Sequence, residues 1–258
     1  DYLEYAKTKN LGDVSERDAR EHYIRWGQFT QVELKFIEKP VTSIERNLNS
    51  ICNIYTSGNN GAGFLYKNSS NSTDNNIYVV TCDHLLSTDN LTTFYASFNT
   101  VDNTRTNVST TAEFRVVGRD KLTDILVGIF DLDLEYNKTF SPDLSPYKKL
   151  TVNLTSDYTI GEKVYTVGNI SELDNNAYLS GNIMDPKFAG DFGINATYIP
   201  ESLLINMNVE IGLSGAPLFK ENDDSEVVGM IVGATSNKRY ALSLTSFLFE
   251  NLITNIIA

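Results

Sequence analysis

The chain has 258 residues, of which 41% are hydrophobic and 11% are aromatic. These fractions are typical of a globular protein with a core of its own, and they exclude an intrinsically disordered chain. The formal net charge of -12 excludes the clustered positive surface that nucleic-acid binding requires.

No apolar run reaches the roughly 18 residues that a membrane-spanning helix needs, so we expect no membrane span. The first residues, DYLEYAKTKN, also lack the apolar core of a signal peptide. Asn-x-Ser/Thr sequons from Asn68 to Asn195 slightly favour a secreted or particle-associated location over the cytoplasm. The chain is so rich in Asn, Ser and Thr, however, that composition alone accounts for many sequons.

Residues 1–40 are predicted to form a helical appendage. In SERDAREHYIRWG, Ser15 is suited to cap a helix and Gly27 is suited to end it. His22 lies in this helix, where we expect a surface or half-buried structural histidine. The appendage is also the part of the chain for which we expect a protein partner.

From about residue 30 the sequence changes to short apolar runs and period-two alternation, which predict β-strands. About a dozen such runs without alternating helices favour an all-β fold of two small antiparallel barrels. We expect the first barrel in 41–140 and the second in 141–258. The strand-like runs are QVELKFIE, SICNIYTS, GAGFLY, IYVVTC, TFYASF, AEFRVVG, DILVGIF, KVYTVG, SLLINMNVE, GAPLF, VVGMIVGAT and RYALSL.

The boundary between the barrels is expected at YNKTFSPDLSPYKKLTVN, where prolines and polar residues interrupt the strands. The chain closes with SLTSFLFENLITNIIA, whose apolar residues recur at helical spacing. We therefore predict a terminal helix packed on the second barrel. Its apolar residues are Phe247, Leu248, Leu252, Ile253 and Ile256.

The sequence has two cysteines, Cys52 and Cys82. Both lie in apolar strand-like stretches, SICNIY and VVTCDH, where a free thiol behaves as a small buried hydrophobe. We expect two free thiols rather than a disulfide. Nothing in the sequence indicates a cofactor or a metal.

The segment VEIGLSGAPLF places Ser214 in a Gly-x-Ser-Gly-x-Pro pattern. A serine hydroxyl is a weak nucleophile, so it needs an imidazole base and a carboxylate that orients the imidazole. His84 is the candidate base because it follows IYVVTCD at the end of a buried strand. A structural role for His84 is the alternative.

Asp124 is the candidate carboxylate because LTDILVGIF places it at the start of an apolar strand. Asp120, Asp131 and Asp133 are nearby alternatives, but VGRDK and FDLDLE are typical of solvated turns and strand ends. No histidine follows Ser214, which excludes the Ser, Asp, His order of α/β-hydrolases. The order that remains is His, Asp, Ser.

These motifs, in this order, resemble a trypsin-like (chymotrypsin-fold) serine peptidase, and most of all the HtrA-type branch. GAGFLY followed by VVTCDHLL resembles the family's Gly-x-Gly-Phe strand and Val-Thr-x-x-His. TDILVGIFDLD is similar to its Asp-Ile-Ala-Val-Leu strand, GEKVYTVGNI to its Gly-x-x-Val-x-x-x-Gly-Asn stretch, and GLSGAPLF to its Gly-Asn-Ser-Gly-Gly-Pro-Leu block. The resemblance implies two six-stranded antiparallel β-barrels of the chymotrypsin type.

The resemblance also implies a role for each candidate residue. His84 is the general base and then the general acid, Asp124 orients it, and Ser214 is the nucleophile that forms an acyl-enzyme. Backbone N–H groups of Gly212 and Ser214 form the oxyanion hole.

For substrate binding, the resemblance places Asn208 near the base of the primary pocket. Gly233, Ala234 and Thr235 form a wall that pairs with the substrate backbone. Their small size predicts a pocket for an uncharged or modest side chain. We expect 185–200 to form a loop that can reshape this site.

Three positions depart from the family's pattern. Leu213 stands where trypsin-like zymogens carry an Asp that pairs with a newly cut N-terminus, so we expect no activation by that salt bridge. Ala216 replaces a glycine, and its methyl group is expected to shift packing without removing the oxyanion hole. Asp83 is expected to be a surface acid; the alternative is that its charge acts on the His84 imidazole.

We expect a serine endopeptidase that hydrolyses peptide bonds in a protein or peptide substrate. The alternative is a catalytically silent protease-fold protein with a structural or binding role in a larger assembly. A complete triad favours the enzyme. A carbohydrate-binding barrel, suggested by aromatic content and polar loops, does not explain the order of His84, Asp124 and Ser214.

Overall fold

A computed structural model of the chain describes most of the region that the sequence predicts to be β. The predicted helical appendage, with His22, lies outside the described residues. The described residues are 47, 49–68, 71, 73–86, 90–101, 107–153, 157–170, 175–191, 198–207, 209, 212–221, 226–234, 241–245, 253 and 255.

The first barrel is a closed ring of six antiparallel strands. Its strands are β1 (Ile51–Tyr55), β2 (Asn60–Tyr66), β3 (Tyr78–Cys82), β4 (Thr93–Val101), β5 (Asn107–Asp120) and β6 (Ile125–Phe130). Around the ring they follow the order β1-β2-β3-β6-β5-β4, and β4 pairs back onto β1. The first predicted barrel is therefore confirmed. The bounds of its domain, 41–140, stay a prediction.

Period-two alternation produces the core of this barrel. On β5, Ala112 and Phe114 are buried whereas Arg115 is exposed, as expected for a strand with one face inward. Phe114 stacks on Phe94 with ring centroids 5.9 Å apart. Gly128 on β6 makes room for these rings, because a Cβ there would lie 2.5 Å from the Phe94 ring.

The second barrel is also a closed ring of six antiparallel strands. Its strands are β8 (Lys163–Ile170), β9 (Asn175–Asp191), β10 (Tyr198–Asn206), β11 (Pro217–Lys220), β13 (Gly229–Ala234) and β14 (Ala241–Thr245). Around the ring they follow the order β10-β14-β13-β11-β8-β9, which confirms the second predicted barrel.

The long strand β9 corrects one expectation. Residues 185–200 were predicted to form a loop, but Asp185 to Asp191 continue β9 and β10 begins at Tyr198. The pairing of β9 with β10 contains three register shifts. Such irregularities interrupt the period-two pattern on which the prediction of strands depends.

The segment between the barrels is hydrogen-bonded to the first barrel and to a short strand that lies outside the ring of the second. The Leu150 N–H donates to Leu65 O, and the Lys67 N–H donates to Leu150 O, each at 2.8 Å. Immediately afterwards, β7 (Thr151–Val152) pairs in parallel with β12 (Glu226–Val227). The connection therefore forms part of the hydrogen-bonded structure rather than a loose loop.

A short helix, α1 (Glu135–Phe140), lies where the sequence predicted only a polar break. Asn137 anchors it to β5, since its side chain accepts from Glu113 N–H at 2.9 Å and donates to Glu113 O at 2.8 Å. The helix ends at Ser141, which has a left-handed backbone. Six residues are too few to carry a helical period, so the sequence pattern did not indicate it.

Of the predicted terminal helix, Ile253 and Asn255 are described; both have helical geometry and Ile253 is buried. The extent of this helix stays a prediction. Within the described part of the chain, no helix has the length and apolar character needed to cross a membrane.

Candidate active site

His84 and Asp124 meet at one end of the first barrel. Strands β3 and β6 are antiparallel, with Cys82 opposite Ile125, so residues just after Cys82 and just before Ile125 lie close together. His84 Nδ1 lies 2.6 Å from Asp124 Oδ2, and the His84 backbone N–H donates to Asp124 Oδ1 at 2.8 Å. Both carboxylate oxygens are therefore used to hold one histidine.

The Asp124 backbone has an unusual conformation that supports this contact. Its φ is 61°, in the left-handed region that non-glycine residues seldom adopt, although Asp tolerates it better than most. The Asp124 carbonyl accepts from Asp83 N–H at 3.1 Å. Strained backbone of this kind costs on the order of 1 kcal/mol and is concentrated at functional sites.

The three alternative acids do not contact His84 within the described residues. The Asp120 carboxylate accepts from backbone N–H groups of Leu122 and Thr123 in its own turn. Hydrogen bonds from the Asp133 backbone and from Arg115 lower the pKa of Asp131. Asp133 is exposed. The carboxylate that faces the imidazole is that of Asp124.

Ser214 lies on a turn of the second barrel that docks against the first. The Ser214 carbonyl accepts from Ala62 N–H on β2 at 2.8 Å. On the other side, Gly215 N–H donates to Ile231 O on β13 at 2.7 Å. The backbone around Ser214 is thus held by one strand from each barrel.

Two glycines shape this turn. Gly212 and Gly215 have φ values of 106° and 91°, which favour glycine over any other residue. A Cβ on Gly215 would lie 2.0 Å from Ala62 O and 2.5 Å from Thr81 Oγ1. Thr81 Oγ1 itself donates to Ala62 O at 2.6 Å, so Gly215 packs against a fixed hydrogen-bonded surface.

The backbone N–H groups of Gly212 and Ser214 donate to no acceptor among the described residues. The described residues also contain no hydrogen bond from the Ser214 hydroxyl to the His84 ring. Such contacts are often long before a substrate binds and become shorter in the complex. Among the described residues, the turn therefore has two backbone donors without a backbone acceptor and one hydroxyl that is not hydrogen-bonded to His84.

The departures at Leu213 and Ala216 fit the core of the second barrel. Leu213 and Ala216 are 1% and 0% exposed, and a Cβ on Gly168 would lie 2.6 Å from Leu213 Cδ2. Because Leu213 is an apolar core residue, it supplies no charge for a salt bridge with a chain terminus. Ala216 retains backbone hydrogen bonds, with its N–H donating to Leu213 O at 2.9 Å.

The expectation that Asp83 is a surface acid is wrong. Its side chain is 9% exposed, and Arg119, at 15%, is its ion-pair partner. Arg119 lies near the end of β5, and it was not among the residues that the sequence motifs indicated. The sequence contains no local signal for this pair, because Asp83, in the turn after β3, and Arg119 are 36 positions apart in the chain.

Cys82 lies behind the pair formed by His84 and Asp124. Both cysteines are free and buried, as predicted, and the Cys82 thiol donates to Ile231 O at 3.4 Å. Burial, together with the charge of Asp124, raises the pKa of Cys82. The geometry alone would allow a metal site, since ligand atoms lie within 4.8 Å of one another on Cys82, His84 and Asp124. A metal needs a deprotonated thiol, however, and this thiol is protonated. A histidine that is hydrogen-bonded to a carboxylate is better suited to proton transfer.

Neither cysteine is expected to react with a thiol reagent in the folded protein. Cys52 and Cys82 are 2% and 0% exposed, and burial raises the pKa of both. Because the thiolate is the reactive form, we expect labelling near neutral pH to be at least about 100-fold slower than in denaturant. A colorimetric thiol assay with and without denaturant measures this ratio. Rapid labelling of native Cys82 would mean that the end of β3 opens.

Two of the four predicted substrate-binding residues are described. Gly233 and Ala234 lie at the end of β13, where both are partly exposed. The pairing of β13 with β14 shifts register between Ile231 and Gly233, which changes the direction of the strand at this edge. Asn208 and Thr235 lie outside the described residues.

The fold and the site define a class of protein: two closed β-barrels, with a histidine–aspartate pair on one and a glycine-flanked serine on the other. The trypsin-like peptidase domain family matches residues 61–230. This is well over half of the chain, and the chain therefore belongs to that family. Among curated proteins, none matches the sequence.

Several solved structures share the fold. Deg5 matches with a TM-score of 0.57 and 17% identity, covering 94% of this chain and 95% of that one. The serine endoprotease from Yersinia pestis matches with a TM-score of 0.58 and 16% identity, covering 85% of this chain and 68% of that one. Rv3671c from M. tuberculosis H37Rv, in an inactive serine-to-alanine form, has a TM-score of 0.59 and 17% identity, covering 84% and 91%. At these identities the matches show the fold, which is the chymotrypsin-like fold that the sequence predicted.

Proposed function

We propose that the protein is a serine endopeptidase in which His84, Asp124 and Ser214 form a catalytic triad. The observation that carries this proposal is the Asp124 carboxylate, which accepts from both the ring Nδ1–H and the backbone N–H of His84. A neutral imidazole that donates through Nδ1 has its lone pair on Nε2. That tautomer is the one a general base requires.

The proposed reaction proceeds in two steps. Ser214 Oγ attacks the carbonyl carbon of the scissile bond while His84 Nε2 takes the hydroxyl proton. The C–N bond then breaks, the imidazolium returns the proton to the leaving amine, and the acyl group remains on Ser214 as an ester. Water, deprotonated by the same imidazole, hydrolyses the ester and restores the enzyme.

The oxyanion of each tetrahedral intermediate is assigned to the N–H groups of Gly212 and Ser214. Their lack of other acceptors among the described residues supports this assignment. Each donor in such a site contributes about 100-fold or more to the rate, because it is fixed in place before charge develops.

We propose a peptide in extended conformation as the substrate. Its backbone would pair beside Gly233, Ala234 and Thr235, and its primary side chain would enter a pocket with Asn208 near the base. The described wall residues carry no charge, which favours an uncharged side chain. The edge of a strand is suited to this mode because its N–H and C=O groups pair with an added strand.

Reaction with a fluorophosphonate probe tests the proposal directly, because the probe modifies only an activated serine. We expect covalent labelling at Ser214, located by mass spectrometry, and loss of labelling in Ser214→Ala and His84→Ala. Ser145→Ala, at an exposed serine, is the matched control and should label as the parent does. If folded parent protein fails to label across neutral and mildly alkaline pH, the catalytically silent alternative is correct.

A further inference from the structure

A second charged pair, Asp83 and Arg119, lies beside His84. Arg119 Nε donates to Asp83 Oδ1 at 2.5 Å, and Arg119 Nη2 donates to Asp83 Oδ2 at 3.2 Å. The Asp83 and Arg119 side chains are only 9% and 15% exposed. Two parallel hydrogen bonds in a nearly buried setting fix geometry far better than a single solvated ion pair does.

A β-bulge in β5 directs Arg119 to this position. Arg115 lies opposite Ile129 and Arg119 lies opposite Leu126, with a register shift between the two pairs. Ile129 and Leu126 are three residues apart on β6, so they face opposite sides of the sheet. Arg115 and Arg119 therefore also face opposite sides of the sheet. In a regular strand, two residues four positions apart would face the same side. Bulges commonly redirect a side chain in this way near active sites.

The pair completes a set of contacts that surrounds the turn carrying His84. The Asp83 backbone N–H already donates to the Asp124 carbonyl at 3.1 Å, and the His84 backbone N–H donates to the Asp124 carboxylate at 2.8 Å. The contact between Asp83 and Arg119 adds a side-chain anchor to β5. The turn is then held at its backbone by Asp124 and at its side chain by Arg119.

We propose that the Asp83–Arg119 pair is a positioning device that keeps the His84 imidazole on Asp124. Its kinetic consequences rest on the proposed peptidase function, whereas its effect on the contact between His84 and Asp124 does not. Arg119 touches neither the substrate nor the reacting atoms in this scheme, so it acts through His84 alone. A displacement of about 1 Å in a catalytic group is enough to lower a rate by about 100-fold.

The charges around His84 make the pH dependence of labelling a specific test of the Asp83–Arg119 pair. Among the described residues, the turn around Ser214 and the turn between β1 and β2 contribute no charged residue; Glu210, four positions before Ser214, lies outside them. Removing Arg119 leaves a negative charge beside the imidazole, whereas removing the Asp83 charge leaves a positive one. The described titratable groups on the elements that hold the His84 turn are Cys82 on β3, Asp83, Arg119 and Asp120 at the end of β5, and Lys121 and Asp124 in the turn that follows.

The test compares Asp83→Asn, Arg119→Gln and the double variant with the parent. We expect each single variant to slow fluorophosphonate labelling by about 10- to 100-fold. The double variant should be close to the slower single variant, because the two residues act as one unit. The acid limb of the pH profile should move up in Arg119→Gln and down in Asp83→Asn, each by up to about one pH unit.

Arg115→Gln is the matched control. It removes an arginine from the same strand, and its ion pair with Asp131, at 2.9 Å, has side chains that are 49% and 25% exposed. We expect less than about a twofold change in rate and no shift of the profile, since surface pairs contribute little. Arg119→Lys keeps the charge but loses the paired hydrogen bonds, and it should recover part of the rate.

A second measurement keeps the positioning role separate from the proposed function. The proton NMR signal of His84 Nδ1–H, shifted far downfield by Asp124, should weaken or disappear in Arg119→Gln and persist in Arg115→Gln. If the parent fails to label, the peptidase function is wrong and this signal alone decides the positioning role. Unchanged rate, profile and signal in both Asp83→Asn and Arg119→Gln would overturn the proposal.

Discussion

Asp124→Asn is expected to lower kcat for peptide hydrolysis by about 10⁴-fold while leaving the fold intact. In the parent, one carboxylate oxygen accepts from the backbone N–H of His84 and the other accepts from its Nδ1–H. The backbone N–H still needs an acceptor, so the amide oxygen of the Asn takes that position. The amide NH₂ then faces Nδ1 and forces the tautomer that cannot accept the proton of Ser214.

Steady-state kinetics with a peptide substrate measure this loss, which should fall on kcat and leave KM nearly unchanged. Asp120→Asn is the matched control, because Asp120 begins the same turn and, among the described residues, its carboxylate accepts from the backbone N–H groups of Leu122 and Thr123 alone. An amide oxygen serves them equally well, so we expect less than about a threefold change. A comparable loss in both variants would show that the turn, and not the tautomer of His84, limits the rate.

Gly215→Ala is expected to lower the free energy of unfolding by about 2 to 5 kcal/mol, since it combines backbone strain with overpacking. The backbone φ of 91° disfavours alanine. The added Cβ would also lie 2.0 Å from Ala62 O and 2.5 Å from Thr81 Oγ1. Relief requires the turn of Ser214 to move away from β2, so reaction with the probe should fall with stability.

Gly161→Ala separates the two contributions. Gly161 has a similar backbone, with φ of 86°, but a Cβ there meets nothing within 4 Å. Urea unfolding of this variant should show only the backbone cost of about 1 to 2 kcal/mol, with labelling of Ser214 unchanged. Equal destabilisation of the two variants would mean that β2 yields to the added methyl group and does not fix the serine turn.

The strand pattern of the barrels was readable from the sequence because one-face burial produces a local signal. Alternation such as that of Ala112 and Phe114 on β5 is visible within five residues. The strand-end positions of His84 and Asp124 follow from the apolar runs beside them. The same logic failed for β9, where register shifts with β10 interrupt the period.

The partners of the candidate site were not readable, because they depend on contacts across strands. Asp83 pairs with Arg119 because a bulge in β5 places the arginine on the side of the sheet opposite to Arg115. The sequence could indicate that Gly215 is suited to close packing. It could not indicate that Gly215 packs against Ala62 and Thr81. Such contacts arise from register and docking, which a local pattern does not encode.

The hydrogen bonds of the segment between the barrels, to β2 and to β12, limit how far one barrel can rotate against the other. A hinge requires a few residues whose backbone angles are free to change. Here Leu150 is hydrogen-bonded to β2, and the next two residues pair with β12. Rotation of one barrel against the other would strain these hydrogen bonds together, so the proposed peptide substrate would have to be accommodated by side chains and loops instead.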